Sequence, residues 1–224
     1  MNGKFITVLM FVVIITITSP VRASVILNEI LSDPAADLQG DSNGDGIRSG
    51  TEDEFVELLN YGDTDADISG WSLSDSVSTR HIFPANTILS PYTFLAIFGG
   101  GSPLVPDIHW QIASSGTLGL NNTGDTVSLF NAETQLMDSV VYGSIGGNDQ
   151  SITLFPDGTG TEFVLHSSLD EAQGALFSPG TSVNSKLSLV SLEEEEPPSN
   201  AVVPELPALL YFSLGWGSLL LKRP

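Results

Sequence analysis

Cysteine is absent from this chain, and basic residues are nearly so: seven Lys and Arg stand against 27 Asp and Glu in 224 residues. The first absence excludes thiolate nucleophiles, thiolate zinc sites and iron–sulfur chemistry, and leaves no disulfide to staple the fold. Its length is enough to bury a core without one. The second absence is sharper once the termini are set aside. Lys4, Arg22, Lys222 and Arg223 lie near the ends, so residues 24–203 keep only Arg48, Arg80 and Lys186 against 26 acids, a balance of −23. A surface so acidic repels phosphate backbones, which argues against nucleic-acid partners and suits divalent cations. Histidine is scarce too. His81, His109 and His166 are scattered, each reads as structural or surface, and no G-x-S-x-G elbow or ordered Ser/His/Asp set accompanies them. Close carboxylate pairs are too numerous to mark an acid/base site. Gly99-Gly100-Gly101 precedes Ser102-Pro103 rather than a helix, so it is no phosphate cradle.

Both ends read as addresses. Lys4, the apolar run of Phe5 to Ile17, and small residues around Arg22 in Val21-Arg22-Ala23 form a secretory signal pattern over 1–23, with cleavage expected before Ser24. A retained N-terminal helix is the alternative, but the run is short for a membrane span. At the other end, Pro204-Glu205 precedes an uncharged run of Ala208 to Leu221, itself shorter than the ~20 residues of a span, and then Lys222-Arg223. This arrangement resembles the PEP-CTERM sorting tail of Gram-negative bacteria, with a departure at Leu206, where that family usually has proline. The resemblance implies an exosortase-type sorting enzyme as partner, Pro204, Glu205, Lys222 and Arg223 as sorting residues, and a destination at the cell surface, outer membrane or extracellular matrix. A plain C-terminal anchor in 204–224 is the alternative, and membrane contact is expected through this segment only. Before it, 183–203 carries Glu193–Glu196 and Pro197-Pro198, an extended acidic spacer.

The interior, 24–182, reads as all-β. Short apolar runs recur between Gly, Asn, Asp, Ser and Pro: Val25–Leu31, Glu54–Asn60, Ile68–Leu73, His81–Phe83, Thr93–Phe98, Ile108–Ile112, Thr126–Phe130, Leu136–Tyr142, Ile152–Phe155 and Glu162–His166. Such spacing suits a sandwich, in which each strand crosses the core once and turns. One run is ambiguous: Phe55, Leu58 and Leu59 in EFVELLN also fit one helical face. Aromatic residues such as Trp110 read as core.

Several ordered pieces settle that ambiguity. They are VILNEI (25–30), Val56-Glu57-Leu58-Leu59-Asn60, Ile68-Ser69-Gly70-Trp71-Ser72-Leu73-Ser74-Asp75, FLAIFGGG (94–101), GDTVSLFNAETQLMDSVVYG (124–143) and the trailing DQSITLFPDGTGTEFVLH (149–166) with SPGT (178–181), so that the pieces span roughly 24–182. Together they resemble the lamin tail domain family. The resemblance implies an immunoglobulin-like β-sandwich, a strand at EFVELLN, and Trp71 as a core residue between the sheets.

Between the first two strands the chain carries a metal motif. Asp41-Ser42-Asn43-Gly44-Asp45-Gly46, five residues, then Glu52 fits D-x-N-x-D-G-x₅-E. Ca²⁺ takes six to eight oxygens, so its ligands must converge from alternate positions of a tightly curled loop. Asp41, Asn43 and Asp45 would supply three ligands, the Ile47 carbonyl a fourth, Ser49 one through water, and Glu52 would close the site. Arg48 stands where an EF-hand has an apolar residue, and Asp33-Pro34 is a poor helix, so the loop is expected without its helix pair. Asp53 or Glu54 would substitute for Glu52, and Asp33 or Asp37 would join from upstream. Mg²⁺ fits less well, since a loop of many carboxylates suits the larger ion. Asp63, Asp65 and Asp67 form a second acidic group that reads as a solvated turn.

The expectation is an exported, non-catalytic binding or structural module with a Ca²⁺-stabilised loop, engaging an extracellular polysaccharide or a surface protein. The alternatives are an exported metal-dependent hydrolase and a passive surface spacer.

Overall fold

The computed structural model describes residues 25–183. The expected signal segment 1–23, most of the spacer 183–203, and the sorting segment 204–224 with Pro204, Glu205, Lys222 and Arg223 lie outside the described residues. Among the described residues no helix is long and apolar enough to cross a membrane.

The fold is all-β. One sheet has six strands: β1 (Val25–Leu31), β2 (Phe55–Asn60), β7 (Phe94–Phe98), β8 (Trp110–Ile112), β11 (Ile152–Leu154) and β12 (Phe163–Leu165), in the order β12-β11-β1-β2-β7-β8. All neighbours are antiparallel except β7 and β8. The second sheet is antiparallel, with β4 (Ser72–Ser74), β5 (Thr79–Ile82), β9 (Asp125–Phe130) and β10 (Leu136–Tyr142) in the order β10-β9-β4-β5. A short ribbon of β3 (Ala66–Asp67) and β6 (Ile88–Leu89) lies apart.

Side-chain alternation explains why the two sheets face each other. Val25, Leu27, Val56, Leu58, Leu95, Ile97 and Ile152 of the first sheet join Leu73, Val127, Leu129, Val140 and Tyr142 of the second in one buried cluster. Residues two apart on a strand share a face, and each large aliphatic side chain buried there contributes roughly 1.5–3 kcal/mol. In β9 the pattern is regular, with Asp125, Val127 and Leu129 buried between half-buried neighbours.

The six-stranded sheet is buried on its other face too. Every residue of β2 is buried. Phe55, Leu31, Ala96 and Phe98 form a second cluster, packed by Val105 and Phe177. A shift in register between Leu27 and Glu29, a β-bulge at Asn28, places Glu29 opposite Glu57. The cover on this face comes from residues 166–183, which include two short 3₁₀ turns, His166–Ser168 and Asp170–Ala172.

Two expectations are corrected here. Trp71 is half-buried at the margin of the inter-sheet core, because it precedes β4 in a turn, where its N–H donates to Ile68 O and its carbonyl accepts from Phe83 N–H. Trp110 is exposed, since β8 is the outermost strand of its sheet.

Candidate functional site

The segment between β1 and β2 holds the motif, flanked by a single 3₁₀ turn (Asp37–Gly40) and no α-helix. Its curl follows from short side chains that bond the chain ahead of them. Asp41 Oδ2 accepts from Gly46 N–H at 2.8 Å, Asn43 Oδ1 from Asp45 N–H at 3.0 Å, and Asp45 Oδ1 from Ile47 N–H at 2.9 Å. Gly46 sits at φ 85°, a left-handed backbone that glycine adopts without strain. These bonds turn one oxygen of each of the three side chains toward the loop's own N–H groups. Asp41 Oδ1 is buried with no hydrogen-bond partner among the described residues, and so is Asn43 Nδ2.

Asp53 closes the loop. It is fully buried, and its oxygens accept from Asn43 N–H at 3.3 Å and Ser49 N–H at 2.6 Å. Its own carbonyl accepts from Ser42 Oγ at 2.6 Å. Burial raises its carboxyl above the ordinary range against the pull of those two N–H groups, and the charges of Asp41 and Asp45 raise it further. Glu52, at the closing position of the motif, is exposed; its N–H donates to Ser49 Oγ, so that hydroxyl serves the loop's own backbone. Ile47 has a hydrocarbon side chain, here exposed, so only its carbonyl oxygen could contribute.

The remaining candidates do not join. Glu54 points the other way, accepting from Leu120 N–H at 3.3 Å; burial pushes its carboxyl up to about 7 against the N–H groups of Leu120 and Gly119 and the charge of Arg80. Asp33 accepts from Asn122 Nδ2 at 2.6 Å, and Asp37 is exposed on the 3₁₀ turn. Asp63, Asp65 and Asp67 are exposed, with Asp67 accepting from Ser69 N–H. Arg48 is spent on carbonyls: Nε donates to Ala35 O at 2.8 Å and a second guanidinium nitrogen to Pro34 O. Among the described residues no three carboxylate or imidazole groups converge on one point. A cation here would therefore depend on Asp41 Oδ1 with Asn43 and main-chain oxygen rather than on a carboxylate trio.

The triglycine run proves to be part of this site. A Cβ on Gly99 would meet Thr51 O at 1.9 Å, and one on Gly101 would meet Asn43 Nδ2 at 2.5 Å and Asp45 Oδ2 at 2.7 Å. This close approach lets Gly99 N–H donate to Glu54 O, Gly100 N–H to Glu52 O, Ser102 N–H to Asp45 Oδ2 and Leu104 N–H to Asn43 O. The run thus seats the loop on the end of β7. Gly99→Ala must displace backbone rather than a flexible side chain, and it is expected to cost about 1–3 kcal/mol of stability. Urea unfolding checks this, and an unchanged midpoint contradicts the close approach.

Elsewhere His81 is a satisfied internal residue. Its Nδ1 accepts from Ser114 N–H, its Nε2 lies 2.7 Å from Gln111 Oε1, and burial lowers its pKa, keeping it neutral. His166 behaves differently. It is buried beside Glu29 and Ser178, residues 149 apart in sequence, a grouping that sequence spacing does not reveal.

Two face-to-face β-sheets with a long insertion between the first two strands define an immunoglobulin-like sandwich module. A family model for the lamin tail domain matches residues 18–144, more than half of the chain, and the protein belongs to that family. The family is a non-catalytic immunoglobulin-like one. No curated protein matches the chain. The family match ends at 144, whereas the fold continues through β11, β12 and the covering segment to 183.

Proposed function

We propose that this protein is an exported, surface-associated, non-catalytic binding or structural module whose β1–β2 insertion is ordered by Ca²⁺. The observation that carries the reading is the division of labour within the loop: Asp41, Asn43 and Asp45 each spend an oxygen on the N–H of Gly46, Asp45 and Ile47, while Asp41 Oδ1 is left buried and unpartnered. Asp41, Asn43 and Asp45 with the Ile47 carbonyl are the residues that would hold the ion, and Asp53 braces them through the N–H groups of Asn43 and Ser49. Bound there, Ca²⁺ would supply the positive charge that these clustered acids lack. The loop, seated on the end of β7, would then present a fixed surface to a matrix polysaccharide or a surface protein. Export is supported by the Phe5–Ile17 run with Val21-Arg22-Ala23, and surface retention by the Pro204-Glu205 to Lys222-Arg223 tail.

Thermal unfolding of the full chain tests the ion. Ligand at a hundredfold excess over its Kd stabilises by ~2.7 kcal/mol, and extracellular Ca²⁺ modules bind at ~10⁻⁴–10⁻³ M. About 10 mM Ca²⁺, roughly a ten- to hundredfold excess over such a Kd, is therefore expected to raise the midpoint by a few degrees, with EDTA reversing the gain and Mg²⁺ giving less. Identical midpoints in Ca²⁺ and EDTA refute the metal reading.

A further inference from the structure

The segment that covers the outer face of the six-stranded sheet is held by carboxylates at alternate positions. Ser178 N–H donates to Glu29 Oε1 at 2.9 Å, Gly180 N–H to Glu57 Oε2 at 2.6 Å, and Ser182 Oγ to Asp157 Oδ2 at 2.7 Å. The strap turns at Ser178–Thr181, where Thr181 N–H donates to Ser178 O at 3.1 Å and Gly180 sits at φ 75°, and groups two apart around that turn meet three acids. Phe177 packs edge-on against Phe55 from the same strap, with ring centroids 6.4 Å apart.

At Ser178 the hydrogens can be counted. His166 Nδ1 lies 2.9 Å from Ala175 O, a carbonyl that only accepts, so Nδ1 carries a hydrogen. In a neutral imidazole Nε2 is then an acceptor, and it lies 2.9 Å from Ser178 Oγ. The same Oγ lies 2.8 Å from Glu29 Oε2. Glu29 Oε1 is already taken, accepting from Ser151 Oγ at 2.6 Å and from Ser178 N–H. One serine hydrogen cannot serve both Nε2 and a carboxylate Oε2. The chain Glu29–Ser178–His166 is satisfied only with one added proton, on Glu29 or on Nε2. Without it, two lone pairs face each other in a buried site, which costs free energy with nothing to offset it.

We propose that residues 166–183 form a proton-locked strap, in which a single proton shared along Glu29, Ser178 and His166 holds the segment on the sheet and its loss releases it. The charged surroundings favour the locked form. Glu57 stands directly opposite Glu29 across β1 and β2, and Asp157 joins Glu57 through Asn28 Nδ2, which bonds both at 3.0 Å. His166 lies 4.0 Å from Glu29, Asp41 lines the same cavity as His166, and Asp170 and Glu171 lie in the strap's second turn. Acids therefore outnumber cationic groups around Glu29. Burial raises Glu29, with His166 opposing, and burial followed by the charge of Glu29 raises Glu57 well above the ordinary range.

The docked strap holds a proton that the released strap gives up once pH exceeds the range of a solvated imidazole, about 6.5. Docking is thus strongest on the acid side and weakens by at most tenfold per pH unit above that point, until the docked site itself gives up its proton. Hydrogen exchange of the full chain reads this at the Ser178 and Gly180 amides, as protection after the intrinsic pH dependence of exchange is divided out. The parent protein is expected to lose protection there by up to tenfold per unit as the pH rises from about 6.5. Glu29→Gln supplies a permanent N–H toward Ser178 Oγ, so its slope is expected to be smaller by one proton, with protection retained at alkaline pH. His166→Gln replaces the titrating ring with an amide whose N–H can donate to Ser178 Oγ, which frees the serine hydrogen for Glu29, and it is expected to lose the same one-proton slope. Both results are expected in EDTA and in Ca²⁺, because no anchor of the strap belongs to the loop ligands. A flat profile in the parent overturns the lock. So does a parental slope in Glu29→Gln, or in His166→Gln should the first variant fail to fold.

Discussion

Phe55→Ala is expected to lower the stability of this protein by about 3–5 kcal/mol, the cost of emptying a fully buried aromatic site. The size of the effect discriminates between two architectures. Phe55 does not face the second sheet; it sits on the outer face of the six-stranded one, with Leu31, Ala96, Phe98 and Phe177. Its ring contacts Phe98 at 5.9 Å and Phe177 at 6.4 Å, both edge-on. If that face were open to water, as on many antiparallel sheets, the same truncation would cost well under 1 kcal/mol. Denaturant unfolding of the full chain measures the difference, and a loss that small removes the strap from the folded unit.

The second large effect separates neighbours in sequence. Asp53→Ala is expected to cost roughly 2–4 kcal/mol in metal-free buffer, because the N–H groups of Asn43 and Ser49 lose their acceptor inside a buried turn. Glu52→Ala, one residue earlier and exposed, is expected to stay within about 0.5 kcal/mol. The two should also diverge in Ca²⁺: the thermal shift is expected to vanish in Asp53→Ala and to persist in Glu52→Ala. Equal behaviour of the pair contradicts Asp53 as the closing group. The reverse order would return that role to Glu52.

How much of this was readable from the chain depends on whether the deciding partner was near in sequence. Strands such as Asp125–Phe130 are legible because one face is core and the other half-exposed, which writes alternation into the residues. EFVELLN is not legible by pattern, and the structure gives the reason. Every side chain of β2 is buried, Val56 and Leu58 toward the second sheet and Phe55 and Glu57 under the strap. A strand covered on both sides has no reason to alternate. The ordered family pieces resolved it as a strand where periodicity left helix open. Trp71 failed in the opposite direction: the motif around it is readable, but half-burial at a sheet margin is set by where the turn ends.

The loop shows the same division. Asp41, Asn43, Asp45 and Gly46 follow from spacing, because their bonds run to residues two to five positions ahead. The change from Glu52 to Asp53 follows from how β2 leaves the loop. Gly100 N–H holds Glu52 O and Gly99 N–H holds Glu54 O, which turns the side chain between them inward. The triglycine run was visible in the sequence and its purpose was not, since its partner lies about fifty residues upstream. The meeting of Glu29, Ser178 and His166 has no local signature at all.

The β-bulge at Asn28 bears on where this protein begins and ends as a unit. It brings Glu29 and Glu57 to one face, and both acids there are met by groups beyond 144, while Val105 and Phe177 pack the phenylalanines beside them. Two buried acids and two buried phenylalanines lie on a surface that the matched family segment covers only in part. The stretch that recurs as a family pattern and the stretch that must fold together are therefore of different lengths in this chain. The later forty residues are as much a part of the sandwich as its first strand.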